Sequence, residues 1–339
     1  MPKTISALIV GECWTEEDER RGSYGHGIQG SLIRGVMRQV GLDPAECHFT
    51  SVLAERPPMN KLQNILTDKL DSLPNYQPLL KGKYFPVAKA SHIARLHAEI
   101  DRLQPRVIVA LGNTALWALT KKTGIKKHRG SPLMTHDNRY KVLPTWEPDS
   151  VFANWELRVV MLADFEKVKR ESYFPELRRP SRLLYLDPSI AELYEFYEEF
   201  LRNEPFLSVD IETKNLTITE VGIGNAAGTR AIVVPFWKRA AADGNYWPTA
   251  AEEKKAWLFV KMVCENHLTI GQNFSYDMQY FWRTVGITCP KFFGDTMLLH
   301  HALQPELEKG LGFLGSIYTN EPSWKFMRQE HFTLKKGDD

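Results

Sequence analysis

Apolar residues fall in short runs separated by stretches with helical spacing. Ser6-Ala-Leu-Ile-Val10 ends at Gly11, Arg106-Val-Ile-Val-Ala-Leu111 ends at Gly112, and Lys141-Val-Leu-Pro-Thr145 forms a third run. Unbroken apolar runs of this length, bounded by glycine, are the pattern of strands buried on both faces. Residues 115–119 and 158–169 have helical spacing, and Asn113-Thr114 is the predicted cap of the first of these helices. Strands alternating with helices predict a parallel α/β sheet.

The pattern breaks at Tyr173-Phe-Pro-Glu-Leu-Arg-Arg-Pro-Ser-Arg182, which has two prolines, three arginines and no period. Residues 173–182 are therefore read as a linker between a domain over 1–172 and a domain over 183–339. A second α/β unit follows, with strands predicted at 183–187 and 206–212 and a helix over 191–201. A hairpin is predicted where Ala-Ala-Gly-Thr-Arg separates the apolar runs 221–224 and 231–234.

Composition agrees with two ordinary globular domains. The chain has 339 residues, 43% hydrophobic and 25% charged, and domains average roughly 150 residues. No apolar run approaches the ~18 residues that span a bilayer, so no membrane association is expected. The N-terminal stretch reads as a core strand and not a secretion signal. Cys13, Cys47, Cys264 and Cys289 lie far apart without a C-x-x-C pair. That spacing argues against a zinc knuckle or a disulfide framework and for a reducing cytoplasm. The net charge of +2 hides an asymmetry: 25 Lys/Arg face 19 Asp/Glu through Ser172, and 18 face 22 beyond it. A basic half suits a polyanion and an acidic half suits metal ions, and solvated faces on both halves remain the alternative.

Candidate chemistry concentrates in the second half. In Leu207-Ser-Val-Asp-Ile-Glu-Thr213, strand alternation puts Asp210 and Glu212 on one face and Val209 and Ile211 on the other. Adjacent carboxylates repel unless a cation or a proton lies between them, and hard divalent cations prefer such oxygen ligands. A solvated edge strand is the alternative reading. In Thr269-Ile-Gly-Gln-Asn-Phe-Ser-Tyr-Asp277, Asn273 and Asp277 are four apart, which predicts one helical face. Asp295 is a predicted cap for the helix that contains His300 and His301, of which one is expected to be buried and one exposed.

Together Val209-Asp-Ile-Glu-Thr213, Asn273-Phe-Ser-Tyr-Asp277, Asp295-Thr-Met297, Gly310-Leu-Gly-Phe-Leu314 and Pro322-Ser-Trp-Lys325 resemble the 3′–5′ exonuclease domain of family A (polymerase-I-type) DNA polymerases. The resemblance implies a ribonuclease-H-like fold holding two Mg²⁺ or Mn²⁺ ions. It implies that Asp210 bridges both metals, Glu212 binds the first and Asp277 serves the second. Asn273, Phe274 and Tyr276 would border a single-stranded or frayed 3′ DNA end. Two such cations stabilise the attacking water and the leaving 3′ oxygen. The family's third motif, Tyr-x-x-x-Asp, has no counterpart before Lys335-Lys-Gly-Asp-Asp339. The expectation is a truncated polymerase, or a split one whose partner is a separate polymerase polypeptide.

The first half resembles the uracil-DNA glycosylase superfamily through Gly11-Glu-Cys-Trp-Thr15, Gly22-Ser-Tyr-Gly-His-Gly27, Thr50-Ser-Val-Leu-Ala-Glu-Arg-Pro-Pro58, Arg129-Gly130 and Glu147-Pro-Asp149. The resemblance implies a three-layer α/β/α domain with its base pocket near Glu12 and Cys13. The family's chemistry is altered. Its base-stacking Phe falls on Gly25, with Tyr24 a candidate substitute; its uracil-reading Asn falls on Ser51, and its anion-stabilising His on Glu147. A carboxylate at 147 would repel an anionic leaving group, so a degenerate pocket is expected. The four cysteines do not fit the family's iron–sulfur spacing, and no such cluster is expected. Lys126, Lys127 and Arg129, in Lys121-Lys-Thr-Gly-Ile-Lys-Lys-His-Arg129, are candidate phosphate contacts. The expected function is metal-dependent removal of 3′ nucleotides during DNA replication or repair in a bacterial or phage setting. A non-catalytic module that binds DNA or tethers a polymerase is the rival, and active base excision is a third reading.

Overall fold

The computed structural model describes residues 5–241 and 243–322. Its described residues divide into two compact units, 5–179 with 312–322 and 180–311. The division after Arg179 falls within the stretch read as a linker. Lys141 donates to the carbonyls of Phe174 (2.9 Å) and Glu176 (3.1 Å), which ties the start of that stretch to the first unit.

The first unit is built on strands β1 (Ala7–Gly11), β2 (Cys47–Ser51), β3 (Val107–Leu111), β4 (Leu133–Met134) and β5 (Lys141–Thr145), in the order β2-β1-β3-β5-β4. All pairings are parallel except β4 with β5. Leu8, Val10, Ile108 and Ala110 pack on one side with Trp117 and Leu96, and Ala7, Ile9, Val107 and Val109 on the other with Met37 and Phe165. Burial on both faces accounts for the unbroken apolar runs and makes this the expected three-layer α/β/α arrangement. Helix Gly112–Thr120 starts one residue before its predicted cap and has no side-chain cap. Thr114 instead donates its hydroxyl to Glu12, and Asn113 accepts from the Gly124 amide at 2.7 Å.

The second unit has a mixed six-stranded sheet: β6 (Leu183–Tyr185), β7 (Leu207–Lys214), β8 (Thr217–Asn225), β9 (Arg230–Pro235), β10 (Thr269–Gly271) and β11 (Phe292–Asp295), in the order β11-β10-β7-β8-β9-β6. β7, β8 and β9 form an antiparallel meander, with β10 and β11 added in parallel beyond β7. The β8–β9 hairpin is the predicted one. Asn215 and Leu216, both at positive φ (50° and 65°), make the tight turn between β7 and β8. Val209, Ile211, Val221 and Ile223 pack with Phe259 and Val263 of helix Ala250–Asn266.

Residues 312–322 group with the first unit, although the sequence boundaries put them in the second. Buried charges hold them there. Lys167 donates to the carbonyls of Gly130 (2.7 Å), Ser316 (2.5 Å) and Thr319, and Arg129 donates to the Ser316 hydroxyl at 2.7 Å. Asn320 donates to Glu171 at 2.9 Å.

Candidate functional site

The central strand of the second unit presents acidic groups on one face. Asp210 and Glu212 point away from the core while Val209 and Ile211 point into it. Across the ladder Asp210 faces Gly222, and Glu212 faces Glu220. Glu220 is a third carboxylate that sequence reading missed, because only the β7–β8 register brings it alongside. Burial, and then the charge of Glu212, raise the Asp210 pKa above the ordinary aspartate range.

Asp277 comes to this strand from helix Ser275–Val285. It is 3% exposed, and its carboxylate accepts from the Ile211 amide at 2.9 Å, between the two strand carboxylates. Burial chiefly pushes its pKa up to about 7. The charges of Asp210 and Asp295 add to this, while backbone amides of Ile211 and of its own helix oppose it.

Asp295 caps helix Thr296–Leu303 through the Met297 amide at 2.8 Å, as expected. It also accepts from the amides of Asn273 (3.0 Å) and Phe274 (2.8 Å). It therefore fixes the turn that launches the helix carrying Asp277. Asn273 sits in that turn at φ 55°, outside the helix and exposed, so it does not share a helical face with Asp277. His300 is buried and His301 exposed, as expected.

Two expected DNA contacts are corrected by burial. Phe274 is fully buried in the hydrophobic core of the second unit, out of reach of a nucleic acid strand. Arg129 is 2% exposed and forked onto Asp164, with Nε to Oδ2 at 3.0 Å. It is an internal strut, as the sequence's basic run could not reveal. Lys126 and Lys127 are exposed, and Tyr276 is exposed with its hydroxyl 2.8 Å from that of Thr213. The Trp324-Lys325 element and the terminal aspartates, Asp338 and Asp339, lie outside the described residues.

Among the described residues, no group of three or more His, Cys, Asp or Glu side chains is spaced to hold a metal ion. Asp210, Glu212 and Asp277, the expected metal ligands, lie on and against this one strand. The donor chemistry still fits a Mg²⁺-type ion, which commonly takes one or two protein carboxylates and completes its shell with water and substrate phosphate.

The first unit holds a cavity of about 310 Å³ at the C-terminal end of β1, where Glu12, Cys13 and Tyr24 meet Glu147 and Asp149. Of the residues expected in a glycosylase pocket, these first four are brought together, and Gly25 and Ser51 are not. Ser51 is buried with its hydroxyl donating to the Leu53 carbonyl at 2.7 Å. Gly25 is covered by the Phe49 ring, which a Cβ at this position would meet at 2.9 Å. Burial, and then the charges of Glu12 and Asp149, push the Glu147 pKa up to about 7. Burial likewise raises Glu12 despite the Thr114 hydroxyl, and raises the Cys13 thiol and the Tyr24 phenol. Trp14, Gln29 and Asn60 also line the cavity and were missed. Only Trp14 stood inside a quoted motif.

A family model described as the uracil DNA glycosylase superfamily matches residues 2–177. The chain belongs to the uracil-DNA glycosylase superfamily. A second family model, described as 3′-5′ exonuclease and of the DNA polymerase A type, matches residues 189–334. This member of the superfamily thus joins a glycosylase-family domain to a polymerase-type exonuclease domain. It is 32% identical over 166 residues to a type-4 uracil-DNA glycosylase of Thermotoga maritima, covering 48% of this chain and 75% of that protein. It is 22% identical over 329 residues to a DNA polymerase of Bacillus phage SP01, covering 88% of this chain and 32% of the polymerase. The chain therefore spans about a third of that polymerase's length. A crystal structure of the EXD2 exonuclease domain soaked in Mg and dGMP matches at 16% identity and a TM-score of 0.27, over 41% of this chain and 71% of that one. A likeness that low carries no argument about this chain.

Proposed function

We propose that the exonuclease domain removes nucleotides from single-stranded or frayed 3′ DNA ends with the help of Mg²⁺ or Mn²⁺, as the proofreading part of a DNA polymerase. The observation that carries this reading is the bond from the Ile211 amide to Asp277. It sets a third carboxylate against the strand bearing Asp210 and Glu212. These three residues would hold the metal ions. When bound, such ions stabilise the attacking and departing oxygens of phosphodiester hydrolysis. Asp277 is oriented by Ile211, Asp295 fixes the turn before its helix, and Tyr276 and Asn273 lie exposed nearby for a DNA strand. The likeness to a phage DNA polymerase supports a role beside polymerase activity, with a polymerase polypeptide as the proposed partner and the cytoplasm of a bacterial host as the proposed setting. Among the described residues no helix is long and apolar enough to cross a membrane.

A second reading, a module that holds DNA without turnover, is favoured by the lack of a three-ligand group among the described residues. Uracil excision is disfavoured by Glu147, whose carboxylate faces the cavity where an anionic base would depart. Incubation with 3′-labelled single-stranded DNA in Mg²⁺ or Mn²⁺ separates the first two. Mononucleotide release that is lost in Asp210→Ala supports the nuclease. Retention of DNA with no product supports the holding module.

A further inference from the structure

The cavity of the first unit has no part in the exonuclease reading. We propose that it receives a planar, positively charged nucleobase, of the class made by methylating a ring nitrogen of adenine or cytosine.

The charge of the walls is the first support. Glu12, Glu147 and Asp149 line the cavity, with Glu16 also lining it but paired to Arg20 and Arg56, and among the described residues no lysine or arginine lines it. Burial favours the protonated form of Glu12 and Glu147, and a bound cation would draw both into the ionised form, which only accepts hydrogen bonds, so a ligand that offers N–H groups and positive charge is matched. Three of the acids are held in place: Glu12 by the Thr114 hydroxyl, Asp149 by the Gln29 amide, and Glu147 by the Ser150 hydroxyl at 3.3 Å. They form a fixed receptor and not a loose acidic surface.

The second support is the shape of the site. Trp14 and Tyr24 both line it, and a cation seated over the face of an aromatic ring is attracted to it, most strongly when desolvated. At about 310 Å³ the cavity lies at the small end of small-molecule sites, roughly 300–1,000 Å³.

Calorimetric titration of the full chain with 1-methyladenosine, adenosine, uridine and spermidine tests this. 1-Methyladenosine is cationic at neutral pH and close to adenosine in size. It is expected to bind at least tenfold more tightly than adenosine or uridine. Glu147→Gln and Glu12→Gln, both nearly isosteric, should each cut that preference at least threefold. Trp14→Leu keeps every charge and should weaken 1-methyladenosine binding by a similar factor. The proposal is overturned if 1-methyladenosine does not bind, or if adenosine binds as well. It is equally overturned if spermidine matches it, since the ring would then have no role, or if all three variants keep the preference. No step of this test involves DNA cleavage, so its outcome is separate from that of the nuclease assay.

Discussion

Asp277 reaches 2.9 Å to the backbone amide of Ile211, the residue flanked by Asp210 and Glu212. A buried acid is thereby held by the strand whose own acids it repels. The amide bond offsets part of that repulsion, and a bound cation would offset more. Asp277→Asn keeps an oxygen for the Ile211 amide and removes the charge. It is expected to abolish nucleotide release while stabilising the metal-free protein by about 1–2 kcal/mol. Thermal midpoints in chelator should rise for the variant. Added Mn²⁺ should raise the midpoint of the wild type and leave the variant's unchanged.

Asp295 makes no proposed contact with metal or DNA, yet it satisfies three amides across two helix starts. Asp295→Ala should cost about 1–3 kcal/mol through the lost cap and the amides left bare. Nuclease activity should fall with it, because the turn before Asp277 loosens. Denaturant midpoints and single-turnover rates measured on the same preparation check both effects.

The basic segment ending at Arg129 divides into two physical classes. Arg129→Ala breaks a buried ion pair and should destabilise the first unit by about 3–5 kcal/mol. Lys126→Ala with Lys127→Ala should leave the denaturant midpoint near wild type. If these lysines contact phosphate, the pair should also reduce the salt slope of DNA binding by about 2. Equal destabilisation by both substitutions would contradict this division.

The same contrast explains what the sequence could reveal. Strands β1 and β3 were legible because burial on both faces leaves unbroken apolar runs that end at glycine. Asp210 and Glu212 were legible because strand alternation fixes their common face without knowledge of the partner strands. Arg129 was not legible, since a buried arginine and a phosphate-binding one look alike until Asp164 is placed beside it. Phe274 was not legible because its burial comes from a core assembled from residues distant in sequence, Val209 and Phe259 among them. The turn at Asn215 and Leu216 lacks the Asn-Gly signal, so Glu220 could not be set opposite Glu212. The return of residues 312–322 to the first unit rests on lysine and arginine contacts to carbonyls, which no local pattern encodes.

Glu147 makes the first unit sensitive to pH. Its folded pKa of about 7 lies above its ordinary 4.5, so the folded protein holds a proton there that the unfolded chain has lost. Its contribution is favourable below about 4.5 and declines as pH rises from there to about 7. Glu147→Gln should remove that decline. The variant should exceed wild type by about 1–2 kcal/mol at pH 8, after allowance for screening of a half-buried group. The two should converge near pH 5, and denaturant midpoints across this range check the sign.

The central claim is that the Asp210, Glu212 and Asp277 carboxylates support metal-dependent hydrolysis from the 3′ end. A time course with a 5′-labelled single-stranded oligonucleotide in Mn²⁺ tests it most directly. The account predicts a ladder that shortens one nucleotide at a time from the 3′ end, stops on chelation and is absent in Asp210→Ala. An intact oligonucleotide with wild-type protein that is folded and binds DNA, or an unchanged ladder in Asp210→Ala, would contradict it.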